Sequence, residues 1–351
     1  MARGYLRGES LDWTFYCQLP RPGERDEQVR AMGGRVVSSL VPLADVGAFM
    51  TALRSELRRG RYDVMHCHHD IVSAVYMAAS VGLPIRRLVH AHNADEHLPT
   101  ASAMKVRLLR EPMRRICLSA DKVIGISNHT LDKFLGGRAR RAGRDVVHYY
   151  GVDPTRFEGL TDKRNAFRAS LELGAEALII LFGGRITPEK NPVFAVDVLA
   201  ALAKCEPRAV GVFVGAGSLE DAVRARAVEL GVSERLRMMG WRTDLPEVMA
   251  ACDWFILPRP EEPMEGFGLA VVEAQLAGLR LLLSRGVPDD PLLPTAVFRR
   301  LGLAEPAQVW AQAALDMLAA PTLSRQSALA ALAESPMEMD RALNELMALH
   351  Q

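Results

Sequence analysis

Two glutamates eight positions apart, Glu265 and Glu273, flank a Gly-Phe-Gly turn in the run EGFGLAVVEA (265–274), and an apolar helical pattern follows at once. A glycine turn opening into a helix leaves backbone N–H groups without intrahelical partners at the positive end of the dipole. Such a terminus suits a phosphate or a polyhydroxylated ligand. Carboxylates accept strong hydrogen bonds from sugar or ribose hydroxyls. The helix would carry Glu273 one to two turns inside its start and leave Glu265 on the loop. A solvated loop acid ahead of an ordinary helix is the plainer alternative for this segment taken alone.

A cationic group stands elsewhere. After the apolar run ALIILF, Gly183, Gly184 and Arg185 lead into Thr187-Pro188-Glu189-Lys190-Asn191, where Thr187 is placed to cap a helix whose first residue is Pro188. Arg185 and Lys190 would then converge on a helix start and hold a pyrophosphate, the guanidinium bridging two oxygens and the ammonium acting as a point charge. Gly215-Ala216-Gly217 follows the next apolar run and would admit a ligand close to the backbone, or simply make a tight turn. Histidines 66, 68 and 69 fall at one strand end, and His90 and His92 at another. Such His-x-His pairs share one face of a strand, as some metal sites require. A metal there needs carboxylate or further histidine ligands and a general base, none of which the sequence fixes, so the histidines are read as hydrogen-bond donors to a ligand. No Asp-x-Asp pair is present to hold a divalent ion on a nucleotide diphosphate, and no metal site is expected.

Short β-branched or aromatic runs alternate with helical patterns from end to end, the signature of parallel sheets wrapped by helices. Strands are expected near 11–17, 35–40, 63–67, 86–91, 122–126 and 145–149, then at 177–184, 209–215, 235–240, 253–258 and 279–284. This predicts an α/β protein of two Rossmann-like, doubly wound domains, 1–158 and 159–351, the second including an amphipathic C-terminal helix within 335–350. The turn-rich stretch 151–165 reads as a linker. Two such domains facing one another would set a substrate in a central cleft.

With 351 residues, 49% hydrophobic and 24% charged, the chain is long enough for two cores. No apolar run approaches a membrane span, and the start lacks the apolar centre of a secretory signal, so a cytoplasmic protein is expected. The five cysteines (17, 67, 117, 205, 252) include no Cys-x-x-Cys pair and read as small buried apolar residues. Residues 1–150 carry 23 Lys+Arg against 15 Asp+Glu, a net of about +8, and the remainder about −7. Much of the excess lies in 105–118, where Lys105, Arg107, Arg110, Arg114 and Arg115 interleave with apolar residues. That segment is either a solvated basic face, which Pro112 interrupts, or a peripheral contact with the inner face of a membrane. Nucleic acid is not expected as a partner.

Taken together, these motifs resemble the retaining glycosyltransferases of family 4, which have the GT-B fold. The resemblance runs through YDVMHCHHD (62–70), LVHAHN (88–93), ADKVIGIS (120–127), YGVDPTRF (150–157), GGRITPEKN (183–191), VGAGSLED (214–221), the block 230–258 and EGFGLAVVEA. It implies that Arg185 and Lys190, beside Gly184, hold the donor diphosphate. Glu273 would bind the ribose. Glu265, with the backbone of Gly266, Phe267, Gly268 and Leu269, would hold the donor sugar, and His92 would reach that sugar from the N-terminal, acceptor-binding domain. Trp241 and Arg242 would lie along the nucleobase.

Two departures stand out. LDWTFYC (11–17) aligns with the family's second strand and MARGYLRG with the tail of its first helix, so the first strand is expected to be lacking from the N-terminal sheet. PRPEEPM (258–264) is inserted before Glu265. The resemblance implies a metal-independent, retaining hexosyltransferase that uses a UDP- or GDP-sugar, without a cofactor, on a polysaccharide or lipid-linked oligosaccharide of capsule or exopolysaccharide synthesis. The alternatives are a nucleotide-sugar epimerase or phosphorylase of the same fold and a non-catalytic remnant.

Overall fold

The apolar runs that alternate with helical patterns become short parallel strands, and the computed structural model describes them within residues 12–19, 21–93, 103–174, 176–319 and 324–351. Strands β1 (Thr14–Cys17), β2 (Arg35–Ser38), β3 (Val64–Cys67), β4 (Arg86–Ala91), β5 (Lys122–Gly125) and β6 (Asp145–Val147) belong to a first unit. Helices α1 (Asp26–Ala31), α2 (Val46–Gly60), α3 (Ser73–Ala79), α4 (Ala103–Cys117) and α5 (Asn128–Leu135) connect them. Phe49 and Leu53 of α2, Met77 of α3, Val89 of β4, Val123 of β5 and Phe134 of α5 form one buried core.

Among the described residues the sheet of this unit is in two hydrogen-bonded pieces. β1 pairs with β2, and β3, β4, β5 and β6 form a second parallel sheet in that order. The break falls where the resemblance expects a further strand. The expectation for MARGYLRG lies outside the described residues.

The second unit contains β7 (Leu178–Gly183), β8 (Ala209–Val214), β9 (Leu236–Met238), β10 (Trp254–Leu257), β11 (Arg280–Ser284) and β12 (Phe298–Leu301). They form one all-parallel sheet in the order β12-β11-β10-β7-β8-β9. The central runs are continuously apolar because helices cover both faces. These are α6 (Leu160–Ser170), α7 (Pro192–Cys205), α8 (Glu220–Glu229), α9 (Leu245–Ala251), α10 (Leu269–Leu276), α11 (Ala307–Leu318) and α12 (Arg325–Ala333). Strand order reverses between β7 and β10, and a crevice beyond the carboxyl ends of those two strands is where such sheets bind ligands.

The division differs from the expected 158/159 boundary. The units are Met1–Gly151 with Met339–Gln351, and Val152–Glu338. The Val152 N–H donates to the Met337 carbonyl at 2.8 Å, so the chain enters and leaves the second unit at one place. The C-terminal helix, α13 (Met339–His350), therefore belongs to the first unit and not to the second. His148 Nε2 donates to the Ala342 carbonyl at 2.8 Å, and a Cβ on Gly151 would lie 3.2 Å from that of Ala342. A side chain at Gly151 would press on Met339 and Ala342, and its absence lets the helix settle closely.

Nor is 151–165 merely a linker. It contains a short turn, Pro154–Phe157, and the start of α6. The pattern LTDKRNAFRAS looks exposed, yet its arginines close the C-terminus of α9. Arg164 donates to the carbonyls of Ala250 and Cys252, and Arg168 to that of Ala251. Cations complement the carbonyl end of a helix, which is why polar residues here are structural. Of the cysteines, Cys67, Cys117 and Cys252 are buried as expected, whereas Cys205 is exposed at the end of α7.

Candidate functional site

In the second unit, the residues read as an anion site and the residues read as a sugar site come together at the reversal of strand order. Gly184 follows β7 and its N–H donates to the Val214 carbonyl at 2.9 Å. The segment Thr187–Asn191 makes only a three-residue 3₁₀ turn, Pro188–Lys190, without a side-chain cap from Thr187. Asn191 then adopts the left-handed conformation (φ 51°) and α7 starts at Pro192. Lys190 thus precedes a helix rather than opening one. Its Nζ donates to Glu265 Oε2 at 2.5 Å, both side chains about 85% shielded from solvent. Burial lowers the Lys190 pKa, although the Glu265 carboxylate opposes that shift. Arg185 is exposed and, among the described residues, is in no ion pair.

A third cation, Arg259, was not singled out in the sequence. It is 8% exposed, its Nε lies 3.5 Å from Glu265 Oε2, and its guanidinium donates to the carbonyls of Glu189 and Met264 at 3.1 Å. Arg259 belongs to the inserted stretch 258–264, so the insert carries a structural cation as well as exposed acids. The insert is fixed in turn by Gly286, where a Cβ would fall 2.0 Å from the Pro260 carbonyl oxygen. Gly286 also accepts the Glu265 N–H at 2.8 Å, setting the height of that carboxylate. The only sequence signal was an arginine just beyond a buried strand.

Gly268 (φ 91°) caps α10 in the left-handed conformation, with Phe267 1% exposed and turned into the core. At the start of α10 the Val271 N–H donates to the Gly268 carbonyl at 2.8 Å, while the N–H groups of Leu269 and Ala270 lie where a helix offers no intrahelical carbonyl. Glu273 lies one turn inside the helix, 8% exposed, and accepts from Arg156 at 3.3 Å. Burial raises the Glu273 pKa, with Arg156 pulling the other way. Arg156 comes from YGVDPTRF, quoted for the resemblance but without a role for its arginine.

The glycines 215 and 217 serve the protein's own backbone. A Cβ on Gly215 would lie 1.9 Å from the Gly184 carbonyl oxygen, and one on Gly217 would lie 2.4 Å from that of Ile186. They let the loops after β7 and β8 pack on one another. The Gly215 N–H donates to the Gly240 carbonyl at 2.8 Å, which places Trp241 next to that turn. Trp241 is 74% exposed. Arg242 is tied to Asp244 through Nε at 2.8 Å and lies 5.6 Å over the Phe167 ring.

In the first unit, the Asp70 carboxylate receives the N–H groups of His92 and Asn93 at 2.5 and 3.2 Å, and the Asn93 amide at 2.6 Å. Asp70 itself sits at φ 45°, an uncommon conformation for a residue with a Cβ. His92 bonds Tyr150 through Nδ1 at 2.6 Å and His68 through Nε2 at 2.8 Å. Burial keeps its pKa below the ordinary value despite Asp70. Helix α4 runs through Pro112. Met104, Leu108 and Leu109 are exposed on it, but Arg114 is 8% exposed and donates to the Phe134 carbonyl at 2.9 Å. The segment is therefore not a wholly solvated basic face.

Residues 5–156 match the family model described as "Glycosyltransferase Family 4", and residues 163–288 the one described as "Glycosyl transferases group 1". The putative glycosyltransferase EpsF of Bacillus subtilis is 25% identical over 86% of this chain and 78% of its own length. The UDP-Gal:alpha-D-GlcNAc-diphosphoundecaprenol alpha-1,3-galactosyltransferase of Escherichia coli is 26% identical over 80% of this chain and 73% of its own. The crystal structure of Anabaena Alr3699/HepE in complex with UDP superposes with a TM-score of 0.76 at 18% identity, covering 97% of this chain and 99% of that one.

Proposed function

From the premise that this chain belongs to the family 4 glycosyltransferases and has their GT-B fold, we propose that it moves a hexose, with retention, from a nucleotide sugar to a glycan or lipid-linked intermediate of exopolysaccharide synthesis. The observation that carries the reading is the Lys190–Glu265 pair with Arg259, set beyond the carboxyl ends of β7 and β10 and beside the N-terminus of α10. Phosphate-binding cations and a sugar-binding carboxylate share one place.

In this scheme Arg185 and Lys190 take the diphosphate and stabilise it as a leaving group. Glu265 and the backbone of the 266–269 turn hold the sugar hydroxyls. Glu273 accepts from the ribose, and Trp241 offers a face to the base. The acceptor oxygen attacks the anomeric carbon on the face from which the nucleoside diphosphate departs. The bond from anomeric carbon to phosphate oxygen breaks, and a phosphate oxygen of the leaving group takes the acceptor proton. Positioning and charge stabilisation then suffice without a protein nucleophile or a metal at the phosphates. The first unit supplies the acceptor site; there His92 has both ring nitrogens engaged, by Tyr150 and His68, and would give up one of these bonds to take a substrate hydroxyl.

A panel of UDP-, GDP- and TDP-sugars scored by thermal denaturation tests the donor assignment. The UDP-sugars, which fit the UDP of the structural neighbour and the UDP-Gal of the galactosyltransferase relative, are expected to raise the melting temperature. At a hundred times Kd the stabilisation is about 2.7 kcal/mol. A panel in which no nucleotide sugar moves the transition would sink the proposal.

A lipid-linked acceptor fits the exposed Met104, Leu108 and Leu109 of α4, with Arg115 beside them. Among the described residues no helix is long and apolar enough to cross a membrane, so the contact proposed is peripheral. The chain is expected to sediment with vesicles containing anionic lipid, and Leu108→Glu with Leu109→Glu to lower the bound fraction several-fold. Equal sedimentation of the variant would exclude α4 as the contact.

A further inference from the structure

Six histidines of the first unit gather on β3, β4, the segment after β6 and the end of α13. His66 and His68 are two apart, as are His90 and His92, so each pair shares a face of its strand. The β3–β4 register sets His66 against Leu88, which brings His68 level with His90. The rings touch. His66 lies 4.1 Å from His68 and 5.2 Å from His90 between centroids, and His90 lies 4.4 Å from His92 and 5.8 Å from His148. His350 closes the group through a 3.0 Å contact between its Nε2 and His66 Nδ1.

The hydrogen bonds assign the protons at one end of the cluster. His350 Nδ1 lies 2.7 Å from the Leu346 carbonyl, which can only accept, so that nitrogen carries the hydrogen. In the neutral ring Nε2 is then bare and takes the Nδ1–H of His66. His66 Nε2 is thereby left as an unprotonated lone pair. It is buried and, among the described residues, has no hydrogen-bond partner. His90 is 1% exposed, and among the described residues neither of its nitrogens has a partner, so a second buried lone pair lies there. Leaving such groups bare is unfavourable, because they have given up water without gaining a partner. Protonating them would not relieve the cost, because it buries charge among other imidazoles. Burial first, and the neighbouring rings second, hold the pKa values of His66 and His90 well below the ordinary histidine value.

We propose that His66, His68 and His90 form a binding site for one divalent transition-metal ion, with zinc the best match to three neutral imidazoles. One ring nitrogen from each lies within 4.8 Å of the other two. Ligation draws them to about 3.4 Å apart, the edge of a tetrahedron with Zn–N bonds of about 2.1 Å. His68, whose outer edge remains exposed, is the side from which an ion enters. The other nitrogens of two ligands are already engaged, His66 Nδ1 by His350 and His68 Nδ1 by His92, as metal-binding imidazoles require of their surroundings. In the sequence alone these pairs lack an assignable carboxylate or further histidine ligand and a general base. The fold brings imidazoles from two strands together and, among the described residues, leaves His66 Nε2 and both His90 nitrogens without a partner. The site is distinct from the diphosphate site of the second unit, and its ion would tie β3 and β4 to α13.

The test is metal content and affinity of the tag-free full chain, stripped with chelator and then titrated with zinc, and with cobalt for its visible absorption. One ion per chain, a tetrahedral cobalt spectrum and a melting temperature that rises with zinc are expected. His66→Gln and His90→Gln should each weaken zinc at least about a hundredfold, and His350→Ala about tenfold or more, in line with losses from altered outer partners. If the buried variants fail to fold, His68→Gln at the exposed edge carries the same expectation. His69→Gln, whose ring lies outside the three, should bind as the parent does. Absence of saturable one-to-one uptake by the parent chain overturns the site, as does parental affinity in the ligand variants or an equal loss in His69→Gln.

Discussion

Replacing Glu265 with alanine is expected to lower turnover about a hundredfold or more at saturating nucleotide sugar, the scale seen when a principal electrostatic contact to a transition state is removed. The reason lies in what the carboxylate touches. Glu265 is held between Lys190 at 2.5 Å and Arg259 at 3.5 Å, with its backbone anchored to Gly286. A carboxylate so fixed can accept from sugar hydroxyls without reorganising. It also competes with the diphosphate for the Lys190 ammonium. Removing it should therefore leave UDP affinity unchanged or higher while turnover falls, a split that partial unfolding would not produce. Glu265→Gln, which keeps an acceptor but no charge, should recover part of the loss. Steady-state kinetics with a labelled donor, together with calorimetric UDP binding, checks this. Parental turnover in Glu265→Ala would show that the residue serves only to neutralise its cations.

The elements around that site were legible because buried parallel strands are written as unbroken apolar runs. LIILFG and WFIL could be placed to within a residue or two, and the turn EGFG announced the start of α10. What failed to show was long-range pairing among polar side chains. Arg259 and Arg156 carry no local pattern, and each acquires a role only when a residue distant in sequence, Glu189 or Glu273, is folded against it. The return of α13 to the first unit was hidden for the same reason, since an amphipathic helix does not say which core it covers. The histidines meet the same limit from another side. Their spacing was read correctly as one face of each strand, but the partners that decide their chemistry, above all His350 at a separation of 284 residues, were invisible.

Asp253 is the residue whose loss should most damage the second unit while sparing its chemistry. It precedes β10 and accepts from Arg164 at 2.7 Å, Arg168 at 3.0 Å and the Ile179 N–H at 2.8 Å. Its side chain is 13% exposed and that of Arg168 is 3% exposed. One carboxylate thus joins α6, the end of α9 and the start of β7. Asp253→Ala leaves a buried guanidinium without its counter-charge and a strand N–H without an acceptor. Breaking a buried pair from one side costs about 3–5 kcal/mol. The lower figure applies here, because Arg164 keeps solvent contact and both arginines retain their carbonyl partners at the end of α9. For a unit of this size about 3 kcal/mol corresponds to a fall of roughly 6–12 °C in melting temperature. Asp253→Asn, which can still accept the Ile179 N–H, should lose less. Donor KM measured well below the transition should stay at the parental value, since Asp253 lies at the amino end of β10 and the donor residues lie beyond its carboxyl end. A melting temperature within 2 °C of the parent would mean that the arginines cap α9 by themselves and that the carboxylate is dispensable.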